Sequence, residues 1–193
     1  MRLFLAIPLP ADLALRASAL LPLALPGLRR VKPENLHITL AFLGWTPDER
    51  LPDVTAAALE AAREVPRFTI AFDHAGRFPE RGRPRVVWLG VGEGLESVVR
   101  LGEGVYRGLR VRDLKFDDRP LAPHLTLARV ADDASAPEAR TVGVAVDGLE
   151  VPRMAFAVES LAVIQSVLSP KGPRYSAVST APLAPATSES RRR

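Results

Sequence analysis

The chain has 193 residues, with 26 Lys+Arg, 22 Asp+Glu, three His and no Cys, so it suits one domain, or one domain built from two lobes, around a buried core. The lack of cysteine excludes a disulfide framework, a thiolate zinc site and a Cys nucleophile; no apolar run nears the roughly 20 residues that span a bilayer, and Met1–Pro10, with one charge and two prolines, makes a poor signal peptide. The net charge is +4, but half of it lies in Glu189–Arg193, so basicity is a weak argument for nucleic acid.

Arg2–Leu9 reads as a strand, with Leu3, Leu5 and Ile7 on one face and Phe4 and Ala6 on the other. Pro10 opens an Ala/Leu-rich helix over residues 11–21. Leu36–Leu43 alternates again, as a strand ended by Gly44. Thr46-Pro-Asp-Glu49 has the pattern of a capping box and predicts a helix running to Val65; Pro52 interrupts its start, which allows a short separate turn. Strands follow at Phe68–Ala75 and Arg85–Val91, joined by a Gly/Pro/Arg-rich link from Gly76 to Pro84. Leu95, Val98, Val99, Leu101, Val105 and Leu109 are spaced for a helix over 94–110, weakened by its glycines. His124–Val130 is a strand, Ala131–Ala136 a polar loop, and 137–145 a short helix. Arg153–Gln165 and Arg174–Thr180 are strands separated by a turn at Ser169–Pro173. The domain runs over 1–181; Pro182 onward reads as a disordered tail ending in arginine. Interspersed strands and helices make the fold class α+β. No Gly-rich phosphate loop follows a strand, because Gly90-Val-Gly92-Glu-Gly94 has neither nucleotide-loop spacing.

One internal repeat carries chemistry. His37-Ile-Thr-Leu40 and His124-Leu-Thr-Leu127 are the same motif, each followed by Ala and each with Pro upstream, at Pro33 and Pro123. Strand alternation puts His37 with Thr39 on one face, and Ile38 with Leu40 on the other, toward a core. The same holds for His124 and Thr126 against Leu125 and Leu127. If two halves pack with pseudo-two-fold symmetry, two imidazoles and two hydroxyls converge across a cleft. Two imidazoles supply one base and one acid near neutral pH, and two hydroxyls can donate to phosphoryl oxygens. A single such His is more often a satisfied polar residue on a half-exposed strand; the matched pair favours function. Two His without Cys or a carboxylate at ligand spacing leave too few ligands for a metal. His74 has Gly76 rather than Thr two residues on and is read as non-catalytic.

The paired H-x-T-h strands (h apolar) resemble the 2H phosphoesterase superfamily, and within it the RNA 2′,3′-cyclic phosphodiesterases, long called 2′-5′ RNA ligases. The resemblance runs from about Arg2 to about Pro182, through Arg2–Ile7, Asn35–Gly44, Arg85–Gly90, Arg119–Arg129 and Gly172–Tyr175. It implies a bilobal pseudo-two-fold fold, in which two antiparallel sheets line a central cleft with helices outside. It also implies opening of a 2′,3′-cyclic phosphate at an RNA 3′ end to a 2′-phosphate, with no metal or nucleotide cofactor. The substrate would be RNA, tRNA halves among the candidates, and the protein a cytoplasmic monomer. Some relatives also join a 5′-hydroxyl in the reverse sense, forming a 2′-5′ linkage.

On that reading one neutral His takes a proton from water, and the other, protonated, gives one to O3′. His124 is assigned as base and His37 as acid, although the motifs are symmetric in sequence and the reverse stays open. Thr39 and Thr126 hold non-bridging oxygens. Arg129 matches a family phosphate clamp, yet plain alternation puts it on the face opposite His124, so a bulge or a reach around the strand end is needed. The resemblance places Phe4 on the cleft face, where a base could stack on it, and Tyr175 where it could close the cleft or touch phosphate. Ser166 is a weaker candidate. Arg85 and Arg119 are candidates for RNA backbone, and Trp88 is read as structural. The rivals are another 2H activity on small cyclic nucleotides or RNA 3′ ends, a non-catalytic RNA-binding module, and a partner-binding protein.

Overall fold

The computed structural model describes residues 1–22, 25–170 and 172–186. In chain order the elements are β1 (Arg2–Pro8), α1 (Ala11–Ala19), β2 (Leu28–Arg30), β3 (His37–Trp45), α2 (Leu51–Arg63), β4 (Phe68–Phe78), β5 (Val86–Val91), α3 (Leu95–Val111), β6 (His124–Val130), α4 (Ala136–Asp147), β7 (Met154–Val158), β8 (Ser160–Ser169) and β9 (Gly172–Pro182). Among the described residues no helix is long and apolar enough to cross a membrane.

The strands run in the order β7-β4-β5-β6-β3-β1-β8-β9, with β2 added to β6, and the named strand pairs are antiparallel. Four strands on each side form the two lobes. Their sheets meet edge to edge at β3 and β6, the two motif strands, through the single register pair Ile38↔Leu125. The expected bilobal α+β architecture is therefore one curled sheet, with its two halves joined at the two His-x-Thr motif strands.

The main core lies on the helix side of this sheet. Leu3, Leu5, Ile7, Ile38, Leu40, Leu89, Leu125 and Leu127 are each at most 2% exposed and belong to it. The helices cover that face because each has one apolar stripe. The glycines that weaken α3 as a helix let it approach α2: a Cβ on Gly108 would stand 3.0 Å from Ala57, and one on Gly104 3.2 Å from Ala61. Close packing offsets the lost propensity.

Several boundaries differ from the sequence reading. No capping box forms at Thr46: its hydroxyl faces the Gly44 carbonyl at 3.5 Å, and a 3₁₀ turn over Asp48–Arg50 precedes α2. The box forms instead at Ser135 and Glu138, with Pro137 in the first turn of α4. Gly44 does not end β3, which continues to Trp45 against Arg2. The strand expected over Arg153–Gln165 is two strands, because the chain changes lobes at Glu159: β7 pairs with β4, and β8 with β1. Strand β2 has no signal in so short and charged a segment; its Arg30 donates to the carbonyls of Ser18 (3.0 Å) and Leu21 (2.7 Å) and so caps the end of α1. The tail does not begin at Pro182. Leu183 is 4% exposed, and Ala184 donates to the carbonyls of Ala62 and Val65. The rest of the expected disordered tail, from 187, lies outside the described residues.

Candidate active site

The cleft face of the sheet begins with the two motifs. His37 and Thr39 are half-buried beside the buried Ile38 and Leu40, and His124 and Thr126 repeat this beside Leu125 and Leu127. The alternation therefore runs as the sequence requires. Each imidazole is also fixed the same way: His37 Nδ1 lies 2.7 Å from the Asn35 carbonyl, and His124 Nδ1 lies 2.7 Å from the Ala122 carbonyl. A carbonyl can only accept, so Nδ1 carries the proton and Nε2 of the neutral ring is left as the acceptor. Among the described residues neither threonine hydroxyl has a partner within the protein.

Burial depresses both histidines below the ordinary imidazole range, against the opposing pull of those carbonyl bonds. The His124 and Arg129 charges push His37 down further, and Arg129 does the same to His124. The two rings thus sense each other's charge and disfavour a doubly protonated pair.

Aromatic rings hold both imidazoles. His37 sits 4.8 Å from Phe4 and 5.4 Å, edge-on, from Tyr175. His124 sits 5.2 Å, edge-on, from Phe78 and 6.2 Å from Trp88. Phe4 is 3% exposed and forms, with Ala6, Ala162, Ile164 and Tyr175, a small second core on the cleft face. Trp88 is not behind the sheet: it pairs in register with Thr126 and packs on Phe78 at 5.0 Å. Phe78 was not singled out by the sequence reading. The available signal was glycine within a strand, which marks a close approach. A Cβ on Gly76 would stand 2.3 Å from the Trp88 ring, and one on Gly90 2.0 Å from the His74 ring. His74 is thus laid across β5, with Nδ1 on Asp73 at 2.6 Å.

The conflict over Arg129 is resolved by a bulge. Thr126 pairs with Trp88 and Ala128 with Val87, so Leu127 is the extra residue. Leu127 and Ala128 are both buried, and Arg129 emerges exposed on the cleft face. The first motif does the same: Thr39 pairs with Ala6 and Ala41 with Leu5, which makes Leu40 extra and turns Phe42 outward. The cleft encloses about 860 Å³. Among the described residues, Arg2, Arg29, Arg30, Lys32, Arg85 and Arg129 line it against one carboxylate, Asp132, together with Ser166 and Tyr175. Arg119 is not among the lining residues and pairs with Asp117 at 2.8 Å.

Residues 10–168 match the model of the 2′-5′ RNA ligase superfamily. The chain is 38% identical to an RNA 2′,3′-cyclic phosphodiesterase of Thermus thermophilus, over 91% of this chain and 86% of that one. It is 39% identical to the Escherichia coli protein of the same name, over 69% and 74%. Among solved structures, TT0787 of Thermus thermophilus superposes with a TM-score of 0.76 at 31% identity, covering 96% of this chain and 99% of that one. Escherichia coli LigT, complexed with 3′-AMP, superposes at 0.74 and 28% identity, covering 94% and 97%. Family match, sequence identity and superposition thus agree over nearly the whole length, and the chain belongs to the 2′-5′ RNA ligase superfamily.

Proposed function

We propose that the protein opens RNA 2′,3′-cyclic phosphate ends to 2′-phosphates, with no metal or nucleotide cofactor. The observation that carries this reading is the duplicated geometry: two imidazoles, each with Nδ1 held by a carbonyl and Nε2 free, flanking two unengaged hydroxyls. His124 Nε2 accepts a proton from water as its oxygen attacks phosphorus. His37, protonated, gives a proton to O3′ as the P–O3′ bond breaks. Thr39 and Thr126 donate to the non-bridging oxygens, where charge builds. Arg129, one position beyond Thr126 on the cleft face, grips the phosphate, and the remaining cleft cations favour a polyanion. A name shared by relatives on both sides of 35% identity, and a LigT complexed with 3′-AMP, support an RNA end as substrate. Joining of a 5′-hydroxyl to the cyclic end to form a 2′-5′ linkage would use the same two groups in the same roles, with the 5′-oxygen attacking in place of water and O3′ leaving again.

The test is incubation with a cyclic-ended RNA oligomer in EDTA, without ATP, followed by identification of the terminal phosphate. A 2′-phosphate is the expected product. A 3′-phosphate would keep the paired-His chemistry and reverse the leaving oxygen. Failure on RNA with turnover of small cyclic nucleotides would select the rival 2H activity.

Two further outcomes are expected. The kcat/KM profile should be bell-shaped, with its maximum below pH 6.5, because burial depresses both imidazoles in the free protein and activity is lost once neither is protonated. The kcat profile should lie at higher pH, since the bound phosphodiester anion favours the imidazolium beside it; stopped-flow or steady-state rates over about pH 4–8 check both. The Arg129→Ala variant should raise KM about tenfold to a hundredfold, as loss of a charge-assisted bond to an anion implies, with a shallower salt dependence. Unchanged KM and kcat would remove Arg129 from the site.

A further inference from the structure

We propose that Asn35 is the positioning residue for His37: its side chain latches the far end of the β8–β9 hairpin over the cleft, and its own carbonyl sets the imidazole. The inference rests on the hydrolysis proposed above and adds the device that orients one of its two histidines.

Asn35 and Thr46 are the buried polar residues among those described, Asn35 at 8% exposure. A buried amide is costly unless it is bonded. Here Nδ2 donates to the Pro173 carbonyl at 3.0 Å, across 138 residues of sequence. The Asn35 backbone is fixed as well. It ends the 3₁₀ turn Pro33–Asn35, with its N–H on the Lys32 carbonyl at 2.8 Å. The carbonyl of this same residue is the one that lies 2.7 Å from His37 Nδ1. Side chain, N–H and carbonyl of Asn35 therefore tie the hairpin, the turn and the first motif at one point.

The bond joins parts of the lobe that the sheet register keeps apart. On β1, Pro8 pairs with His37 at one end, and Leu3 pairs with Gln165 toward the other. Ser166–Ser169 run on beyond the Arg2 end, paired with Gly172–Tyr175. Asn35 precedes His37 and so lies past the Pro8 end. A bond between Asn35 and Pro173 requires that this arm of the hairpin bend back across the cleft face. Ser166, Leu168, Pro173 and Tyr175 accordingly line the cleft together with Asn35. The bend carries Tyr175 to 5.0 Å from Phe4 and 5.4 Å from His37. Phe4, first expected to stack a base, is 3% exposed and with Tyr175 walls the imidazole. The ring that closes this wall thus arrives with the latched arm.

The other lobe anchors its histidine differently. The residue two before His124 is Ala122, whose carbonyl holds Nδ1 at the same 2.7 Å but which has no side-chain donor. Its neighbour Leu121 is seated on α3 instead: a Cβ on Gly102 would stand 2.3 Å from that side chain. An apolar contact holds by shape, whereas an amide bond is directional and is lost with its one donor. The two imidazoles, alike in local geometry, are held by unlike devices, and a change at Asn35 reaches His37 alone.

The test uses the full chain carrying ¹⁵N-labelled histidine, with nitrogen NMR at about pH 8, where imidazoles below their ordinary range are neutral. In the wild type His37 and His124 should both be in the Nδ1–H form, since each Nδ1 faces a carbonyl. In Asn35→Ala, His37 should move toward the mixture of a free imidazole while His124 stays as it was; His37→Ala and His124→Ala assign the signals. Asn35→Asp, which keeps the volume but cannot donate when ionised, should act in the same direction, and thermal melts confirm that both variants fold. On a cyclic-ended RNA oligomer, Asn35→Ala should lower kcat about tenfold to a hundredfold, as misplacing a reacting group by about 1 Å implies, with a smaller change in KM. Added to His37→Ala, the same change should cost little more, because the amide acts through that ring. An unshifted His37 in both variants, an equal shift at His124, an unchanged kcat, or fully additive losses overturns the proposal. A His37 shift in Asn35→Ala, without hydrolysis of any cyclic end by the wild type, would uphold the latch and reject the activity instead.

Discussion

His37→Ala and His124→Ala should each lower kcat on a cyclic-ended RNA by about 10²- to 10⁴-fold, the range for loss of a positioned general acid or base. KM should change far less, because Thr39, Thr126 and Arg129 still hold the phosphate. The double variant should be little worse than either single one, since the two rings act as a unit in one proton inventory. Each variant should also lose one limb of the bell-shaped pH profile. Replacing O3′ with a better leaving group should rescue the acid variant and not the base variant. That comparison assigns the roles: rescue of His37→Ala alone matches the assignment made here, and rescue of His124→Ala alone reverses it. Both imidazoles are half-buried polar groups on the cleft face, outside the main core, so melting temperatures should shift little. A turnover loss accompanied by a large fall in Tm would point to disturbed packing of Phe4, Tyr175 or Phe78 instead.

The second large effect is on stability. Leu125 is 0% exposed and pairs in register with Ile38, where the two lobes join. Leu125→Ala should cost about 2–5 kcal/mol through lost burial and the cavity left behind, or roughly 4–20 °C in Tm for a chain of this size. Because Leu125 lies between His124 and Thr126, the same change loosens the distance between the motifs. Turnover at a temperature well below the melt should therefore fall more than KM rises. A Leu125→Met variant, nearly equal in volume, should recover most of both losses. Calorimetry together with single-turnover rates on the two variants checks the coupling. Full activity in a strongly destabilised Leu125→Ala would show that the junction is needed for folding alone.

Much of this protein could be read directly from its residues, and the parts that could not have a common cause. Elements with strong periodicity, such as Leu95–Val111 and His124–Val130, follow from spacing alone. The capping pattern at Thr46 did not form, because Thr46 is engaged with the chain start: its N–H donates to the Met1 carbonyl and its own carbonyl accepts from the terminal amine. Phe42 escaped notice as a cleft residue, and Phe78 and Trp88 as neighbours of His124, because a hydrophobic ring reads as core unless the face it occupies is known.

The sequence by itself determined the chemistry: a duplicated His-x-Thr, with alternation that puts both polar groups on one face and apolar side chains behind them. Backbone pleat fixes that locally, within each strand. The tertiary structure decided what surrounds it. Pairing of β6 with β5 makes Leu127 an extra residue and brings Arg129 into the cleft; pairing of β3 with β1 does the same for Phe42 through Leu40. The single pair Ile38↔Leu125 sets the motifs side by side. A bulge is a mismatch between two strands distant in sequence, so it has no signature in either strand alone, and the face that each later residue takes depends on it.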